Sequence, residues 1–294
     1  MKKLNSKDFH QDLINLYDNY AHGKITKREF LEKAKKFAVG VSAVALLDLL
    51  SPKYSYAEQV KAEDPDIEIS YVNYDSSKGH GSIKGYLVKP KILDKLNSAV
   101  LVIHENRGLN PYIADVTRRL AKAKFIAFAP DGLTPKGGYP GNDDQGREAQ
   151  ASLDQEKLKQ DFFAGFQYLT SVTKGKVGAV GFCYGGGIVN QLAVNFPNLS
   201  AAVPYYGPQV DEKDVSKIKA TLLLHYAELD SRINEGISKF EQALKDNKKN
   251  YTLHMYTGVN HGFHNDTTPR YDKQAADLSW SRTIEFFKKN LSTI

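Results

Sequence analysis

Cysteine is almost absent from this chain of 294 residues, which contains only Cys183. A single cysteine excludes any internal disulfide, which fits a reducing compartment and favours a cytoplasmic protein. Long runs of one charge sign are also missing, and the net charge of +6 is scattered rather than interleaved with aromatic side chains. The composition therefore predicts a globular protein with no nucleic-acid partner.

No apolar run is long enough to cross a bilayer. The best candidate, Phe37 to Leu50, is interrupted by Asp48 and falls short of the roughly 20 residues that a spanning helix needs. It does have the size of a signal-peptide core, with a small-x-small site at Ser55-Tyr56-Ala57 behind it. Lys27-Arg28-Glu29-Phe30-Leu31 resembles a weakened twin-arginine export motif. Export is therefore an alternative to a retained segment, which we favour because the motif lies behind a helix of its own and has lysine for one arginine.

The first 60 residues differ in pattern from the rest of the chain. Leu13, Leu16, Tyr17 and Tyr20 recur at the spacing of an amphipathic helix. Residues 1–60 are therefore predicted to form a helical extension that lays its apolar face on the remaining domain. If the extension packs over the mouth of a site on that domain, it acts either as a lid or as the contact surface of a homodimer.

Residues 65–294 alternate between strand and helix patterns. Ile67–Val72 and Ile83–Val88 alternate in polarity and predict an antiparallel pair. Short apolar runs then predict strands buried on both faces: Ala99–Ile103, Ile126–Ala129, Val177–Val180, Ala201–Tyr205, Thr221–Leu224 and Tyr251–Tyr256. Segments of helical spacing separate them, namely Tyr112–Ala123, Leu158–Thr170, Gly186–Asn195, Ile237–Asp246 and Asp272–Leu291. This order predicts an α/β fold with a mostly parallel, doubly wound sheet, helices on both faces, and an active site at the carboxyl ends of the strands.

The lone cysteine lies where that site should form. Gly181-Phe182-Cys183-Tyr184-Gly185-Gly186-Gly187 directly follows a predicted strand and opens a predicted helix. This is the nucleophile elbow of the α/β-hydrolases with cysteine in the serine position. Gly181 and Gly185 are needed there because any side chain would collide with the neighbouring strand or helix, and the helix N-terminus favours a thiolate. The alternative is a buried structural cysteine beside a glycine-rich turn.

Asp230 and His261 complete a predicted Cys-His-Asp triad. Asp230 follows the next-to-last strand and His261 the last one, in the chain order of this fold. His261 would take the thiol proton, and Asp230 would orient the imidazole. Glu228 is a rival acid if the strand pleat continues past Tyr226, and His264 is a rival base.

A fourth element is the loop that begins with His104 after the strand Ala99–Ile103. In this fold that loop supplies one backbone N–H of the oxyanion hole, here from Asn106, and Tyr184 supplies the other. Glu105 is unusual because a carboxylate repels a nearby thiolate, unless it is protonated or paired, for instance with Arg107. The alternative is an ordinary glutamate in an exposed loop.

Together these motifs resemble the dienelactone hydrolase family, over roughly residues 65–294. The matching residues are His104-Glu105-x-x-Gly108, Pro130-Asp131, Gly181-Phe182-Cys183-Tyr184-Gly185-Gly186, Asp230 and His261-Gly262-Phe263. The resemblance implies cofactor-free hydrolysis of an enol-lactone or related ester through a thioester. It also implies that Glu105 holds the cysteine as an unreactive thiol until substrate binds. The N-terminal extension is similar to that of a subgroup that carries an Arg-x-Phe-Leu-like stretch.

The chain departs from the family at the substrate carboxylate. Family members that take a dienelactone bind its carboxylate with two arginines, one after the Pro-Asp segment and one four residues after the histidine. The second position is Asn265 here, and the first segment offers only Lys136. Lys136 or Arg107 could substitute, although lysine lacks the bidentate fork of a guanidinium. Another small-molecule ester or lactone is therefore at least as good a candidate substrate.

Two functions of other classes remain open from the sequence. One is a catalytically silent α/β-hydrolase that binds a small molecule, and the other is a redox protein that uses Cys183 as a peroxide-reactive thiol with a partner thiol. No metal site is predicted, because the eight histidines show no ligand spacing and one cysteine cannot form a thiolate cluster.

Overall fold

The computed structural model describes residues 4–56, 58–92 and 98–292. Ala57 of the small-x-small site lies outside the described residues. The helices are α1 (Gln11–Ala21), α2 (Lys27–Ala34), α3 (Ala43–Leu50), α4 (Pro111–Lys122), α5 (Asp143–Ala151), α6 (Gln155–Val172), α7 (Tyr184–Asn195), α8 (Ser231–Asn234), α9 (Ile237–Asp246) and α10 (Lys273–Leu291). The strands are β1 (Ile67–Ser76), β2 (Gly81–Pro90), β3 (Ala99–Ile103), β4 (Ile126–Pro130), β5 (Val177–Phe182), β6 (Ala201–Tyr205), β7 (Thr221–Ala227) and β8 (Tyr251–Tyr256).

One sheet organises the larger part of the chain. Its strand order is β1-β2-β4-β3-β5-β6-β7-β8. β1 pairs antiparallel with β2, and β2 antiparallel with β4. All pairs from β4 to β8 are parallel. The predicted α/β architecture with a mostly parallel sheet and an antiparallel pair at its start is confirmed.

Helices cover both faces of the sheet, as the handedness of parallel crossovers requires. On one face α6, α7 and α9 pack on a core that includes Leu101, Phe162 and Leu224. On the other face α4 and α10 pack on a second core, to which Val102 and Phe287 belong. Strands β3 to β6 are buried along their whole length, which explains their near-continuous apolar sequences.

Residues 1–60 contain helices, as predicted. Helices α1, α2 and α3 enclose a separate apolar core that includes Leu13, Tyr17 and Phe30. The export-like stretch forms the start of α2, which Thr26 caps through a reciprocal contact with Glu29. Among the described residues, no helix combines the length and apolar character that a membrane crossing requires. A homodimer through this extension stays a prediction.

The turn from β5 to α7 requires glycine at two positions. A Cβ on Gly181 would lie 2.2 Å from the carbonyl oxygen of Gly185, and a Cβ on Gly185 would lie 2.3 Å from the carbonyl oxygen of Ile103. Strand β5, helix α7 and strand β3 therefore approach each other backbone to backbone. Between the glycines, Cys183 adopts φ 57° and ψ −115°, a conformation that a residue with a side chain rarely adopts.

Substitution of Gly185 by alanine should therefore destabilise the fold. The new Cβ meets backbone atoms of β3, which cannot rotate away, so we expect a loss of about 3 kcal/mol in the free energy of unfolding. Urea unfolding measures it. Asn195→Ala, at the exposed end of the same helix, should change that free energy by no more than about 0.5 kcal/mol. Equal stability of Gly185→Ala and the wild type would contradict the proposed close packing.

Candidate active site

The sulfur of Cys183 lies at the N-terminal end of α7, at the carboxyl edge of the sheet. The backbone N–H of Cys183 donates to the carbonyl oxygen of Tyr205, 3.0 Å away, and this bond fixes the turn to the end of β6. Cys183 is buried, with 6% of its surface exposed. The predicted strand–turn–helix elbow is present, with the side chain in the position that a nucleophile occupies in this fold.

Asp230 and His261 form a buried pair beside the sulfur. His261 Nδ1 donates to Asp230 Oδ2 over 2.5 Å, and Asp230 also caps α8 by accepting from the Ile233 N–H. His261 Nε2, the other ring nitrogen, has no hydrogen-bond partner in the described part of the chain. The fold thus brings together the three residues that the sequence proposed as a triad.

The two rival residues lie elsewhere. Strand β7 ends at Ala227, so Glu228 is outside the pleat, is exposed, and accepts from the Gly258 N–H over 2.7 Å. His264 is buried against Phe182, with Nδ1 2.6 Å from the hydroxyl of Tyr112. Neither of them takes part in the contacts of Asp230 and His261.

A second histidine, His22, contacts the sulfur directly and was not predicted. His22 is the C-cap of α1, and its Nε2 lies 3.2 Å from Cys183 Sγ. Its ring meets that of His261 edge to face, with the centroids 4.7 Å apart. The N-terminal extension therefore reaches the buried cluster. The available sequence signal was the pair Asp18 and His22, four residues apart near the end of a predicted helix.

Charged residues of both parts of the chain surround this histidine. The Asp18 carboxylate of α1 lies 3.3 Å from His22 Nδ1 and 3.0 Å from Arg270 Nη1. Arg232 Nε is 3.6 Å from the same carboxylate. Arg232 Nη2 lies 3.1 Å from His22 Nε2 and 3.3 Å from His261 Nδ1. Asp18 thus links the extension to two guanidinium groups at the edge of the site.

The electrostatics of this cluster favour a thiolate. Burial alone raises the pKa of the Cys183 thiol, but the imidazoles of His22 and His261 lower it, and the net pKa lies well below its ordinary value. Burial opposes a charged His261, yet Asp230 and the Cys183 sulfur raise the pKa of His261 to about 10. The pKa of His22 is also raised: its burial is outweighed by the charges of Cys183 and Asp18. Each of these shifts favours the charged form of its group, an ionised sulfur beside charged imidazoles.

Glu105 is buried rather than exposed, and its partner is not Arg107. Asn265 Nδ2 donates to Glu105 Oε2 over 3.0 Å. Burial raises the pKa of Glu105, partly opposed by the charge of Arg107. Arg107 itself forms an ion pair of 2.6 Å with Asp143. Glu105 is therefore neither exposed nor hydrogen-bonded to Arg107, and its burial favours the neutral carboxyl relative to a free glutamate. The role that the resemblance gives Glu105, holding an unreactive thiol, stays a prediction.

Tyr184 and Asn106, the two expected oxyanion-hole donors, both follow strands that end at the carboxyl edge of the sheet. Tyr184 is the first residue of α7, so its N–H lacks an acceptor within the helix. Asn106 lies in the loop after β3, and its side-chain amide donates to the Ala21 carbonyl of α1 over 2.8 Å. Among the described residues, no acceptor takes up the backbone N–H of either residue. Their role as an oxyanion hole stays a prediction.

The two candidate substrate-binding cations are differently placed. Arg107 is buried and engaged by Asp143, so a substrate carboxylate would have to compete with that ion pair. Lys136 is exposed on the short helix Thr134–Lys136. Neither of them contacts the sulfur cluster in the described structure, and their role in binding a substrate also stays a prediction.

A cleft of about 440 Å³ opens beside the cluster, between α1 and the sheet domain. It is polar in character and reaches both His261 and Asp18. Its lining from α1 is Ile14, Asn15, Asp18 and Asn19, and its lining from the sheet domain includes Asp230, Arg232, Asn260, His261 and Arg270. A small polar molecule could reach His261 through this cleft.

The fold also creates a possible metal-ligand set that spacing alone did not reveal. One nitrogen of His22, one of His261 and the sulfur of Cys183 all lie within 4.8 Å of one another. Such N and S donors suit transition metals. However, the guanidinium of Arg232 contacts both imidazoles, and its positive charge opposes a second cation at that point.

Comparison with known proteins identifies the family. The model of the dienelactone hydrolase family matches residues 83–291, and a model described as YqhI-like matches residues 1–39. The chain belongs to the dienelactone hydrolase family. It is therefore a hydrolase of the α/β-hydrolase fold with an N-terminal helical extension, as the sequence motifs predicted.

Relatives of this dienelactone hydrolase family member cover different shares of its length. An Escherichia coli K12 protein, provisionally named hydrolase fragment YghX, is 58% identical over 114 residues, 39% of this chain and 97% of its own length. A Saccharolobus solfataricus protein, provisionally named a carboxymethylenebutenolidase, is 30% identical over 255 residues, 74% of this chain and 96% of its own. A solved structure from Klebsiella pneumoniae, provisionally named a dienelactone hydrolase, shares the fold with a TM-score of 0.66 at 22% identity, covering 76% and 99% of the two chains.

Substitution of Asp230 by asparagine should lower the pKa of His261 by roughly 1–3 pH units, because a buried negative charge at 2.5 Å is removed. An NMR titration of the imidazole measures this pKa. Glu228→Gln removes the rival carboxylate and should leave the pKa of His261 where it is. The assignment of Asp230 as the partner is refuted if the two variants shift that pKa equally.

Proposed function

We propose that this hydrolase opens carboxylic esters or lactones with Cys183 as nucleophile, His261 as acid and base, and Asp230 as the partner of His261. The observation that carries the proposal is the His261–Asp230 hydrogen bond of 2.5 Å beside a sulfur at a strained turn that opens a helix. A strained backbone costs stability and persists where it positions a reactive group. The family assignment of the chain supports the same class of reaction.

In the proposed reaction the Cys183 thiolate attacks the carbonyl carbon, and the backbone N–H groups of Asn106 and Tyr184 bind the oxyanion. The tetrahedral intermediate collapses to a thioester while His261 Nε2–H protonates the leaving oxygen. Neutral His261 then takes a proton from water, and the hydroxide attacks the thioester. The second intermediate expels the thiolate and releases the carboxylic acid, so the starting site is restored.

The thiolate determines which leaving groups are suitable. A thiolate is less basic than a serine alkoxide, and the intermediate returns to substrate unless the leaving oxygen is a good leaving group. Enolates and phenolates meet that condition, whereas amide nitrogen does not. Enol-lactones and aryl esters are therefore the proposed substrates, and amides should react poorly.

The carboxylate of a dienelactone is a less suitable recognition group. A relative is provisionally named a carboxymethylenebutenolidase, but the position of one family arginine is Asn265, which here binds Glu105. The candidate substitute Lys136 is exposed, and Arg107 is paired with Asp143. These contacts support a neutral ester or lactone as well as a carboxylate-bearing one.

Single-turnover assays on an aryl ester and an enol-lactone test the nucleophile. Cys183→Ala should abolish thioester formation and reduce hydrolysis by at least about 10⁴-fold, close to the level left by binding and the oxyanion donors alone. Cys183→Ser should also lose most activity, because the hydroxyl is not ionised by the same imidazoles. Full activity in Cys183→Ala would end the triad proposal.

Alkylation by iodoacetamide tests the charge state of the sulfur. The pKa of Cys183 lies well below its ordinary value, and we expect the thiolate to be the reactive form on the acid side of neutrality as well. The alkylation rate should therefore be nearly independent of pH between about pH 6 and 8. For an ordinary thiol, with a pKa near 8.5, the rate rises close to tenfold per pH unit over the same range. A tenfold rise per pH unit, or no alkylation at all, would contradict a poised thiolate.

A further inference from the structure

Two Asp–His pairs face the same sulfur from opposite parts of the chain. Asp230 and His261 come from the sheet domain, and Asp18 and His22 come from α1 of the N-terminal extension. The hydrogen-bond contact of the sulfur in the structure is with His22 Nε2, at 3.2 Å. His261 Nε2 stays without a hydrogen-bond partner among the described residues. The pair from the extension thus hydrogen-bonds to Cys183, and His261 also lies within 4.8 Å of the sulfur.

The orientation of His22 is set by two oxygen acceptors. Its Nδ1 lies 2.7 Å from the Asp18 backbone carbonyl and 3.3 Å from the Asp18 carboxylate. Both accept hydrogen bonds only, so Nδ1 carries a proton and Nε2 faces the sulfur as the exchangeable position. The carboxylate of Asp18 balances the charge that His22 acquires when Nε2 is protonated as well. This is the arrangement that Asp230 gives to His261.

Both ends of α1 are anchored on the sheet domain by hydrogen bonds. These anchors join the extension to three separate segments of the sheet domain, so His22 is held in position rather than resting on the surface. They are Asn106 Nδ2 to the Ala21 carbonyl at 2.8 Å, Gln11 Nε2 to Asn260 Oδ1 at 2.5 Å, the Tyr20 hydroxyl to Asp144 Oδ1 at 2.5 Å, and the Arg147 guanidinium to the Tyr20 carbonyl.

We propose that His22 is a catalytic residue of this hydrolase, which takes the Cys183 thiol proton on Nε2 and so leaves His261 free to protonate the leaving group. The proposal rests on the function proposed above and divides its proton transfers between two imidazoles. The S–H bond breaks, an N–H bond forms on His22, and the sulfur keeps the electron pair. That proton stays on His22 through the thioester stage, since the later steps exchange protons only between His261, the leaving oxygen and water.

This division makes the extension part of the active site. A simple lid would have to leave before the reaction, whereas α1 supplies a reacting group and leaves the cleft of about 440 Å³ as the route to His261. The charged groups that face His22 are Asp18 on its own helix, with Cys183, His261 and Arg232 on the sheet domain. Arg270 acts on it through Asp18.

The full-length variants His22→Gln and His22→Ala test the proposal, with Glu32→Gln as the control for a change in the extension. Glu32 is an exposed residue of α2 that pairs with Lys35, away from the site. In His22→Gln we expect the alkylation rate of Cys183 at pH 6 to fall at least about tenfold and to rise with pH. The acylation rate on an aryl ester should fall roughly 100-fold. Glu32→Gln should match the wild type in both measurements.

Two further variants separate a chemical role from a structural one. Free imidazole should restore part of the acylation rate of His22→Ala, and only there, because it can occupy the vacated place beside the sulfur. Asp18→Asn keeps the imidazole of His22 but removes the carboxylate that balances its charge. The alkylation rate of Cys183 at pH 6 should therefore fall in this variant too, by less than in His22→Gln. Thermal unfolding of each variant reports whether the extension is still folded, and Asp18→Asn remains informative if His22→Ala is not.

The outcomes distinguish the two proposals. If His22→Gln keeps the wild-type alkylation profile and acylation rate, or acylates faster, His22 is only a cover and the inference is overturned, while an inactive Cys183→Ala leaves the proposed function standing. If Cys183→Ala is active, both proposals fall. A loss of acylation that imidazole does not restore, with an unchanged alkylation profile, also overturns the role of His22.

Discussion

The site depends on the close approach of three backbone segments around Cys183. Strand β5, strand β3 and helix α7 come so near each other that Gly181 and Gly185 cannot carry a Cβ. Cys183, between these glycines, adopts a positive φ, which turns its side chain away from the strand direction at the N-terminus of α7. A buried sulfur in that position meets side chains from neighbouring strand ends instead of solvent. The identity of the reaction follows from which side chains those are.

Those side chains create a small network in which opposite charges alternate. The sulfur lies next to His22 and His261, and behind each imidazole is a carboxylate, Asp18 or Asp230. Because every group is buried or half-buried, water screens these charges little, and each one sets the pKa of the next. Burial and the nearby charge of Cys183 raise the pKa of Glu105 in the same network, because a further negative charge there would be repelled.

Much of the fold and of the candidate site could be predicted because it is encoded locally. Ala99–Ile103, Ala201–Tyr205, Ile237–Asp246 and Tyr251–Tyr256 begin and end where their patterns indicated. Other strands continue further, as β7 does to Ala227, because its pairing with β8 continues past the apolar run. Pairings of side chains could not be predicted in this way. Arg107 pairs with Asp143 rather than Glu105, and Asn265 occupies the place beside Glu105, because these contacts depend on how distant loops meet.

His22 illustrates that limit most clearly. Its sequence neighbourhood predicts a helix and places Asp18 on the same face, four residues earlier, yet nothing local indicates that the end of this helix meets residue 183. That meeting depends on polar anchors between the extension and loops of the sheet domain, such as Asn106 to the Ala21 carbonyl. The two parts match different family models. The sheet domain carries Cys183 and one Asp–His pair, and the extension carries the second pair. The apolar core of the extension supports the helix that carries Asp18 and His22, and the polar anchors fix the position of that helix on the sheet domain.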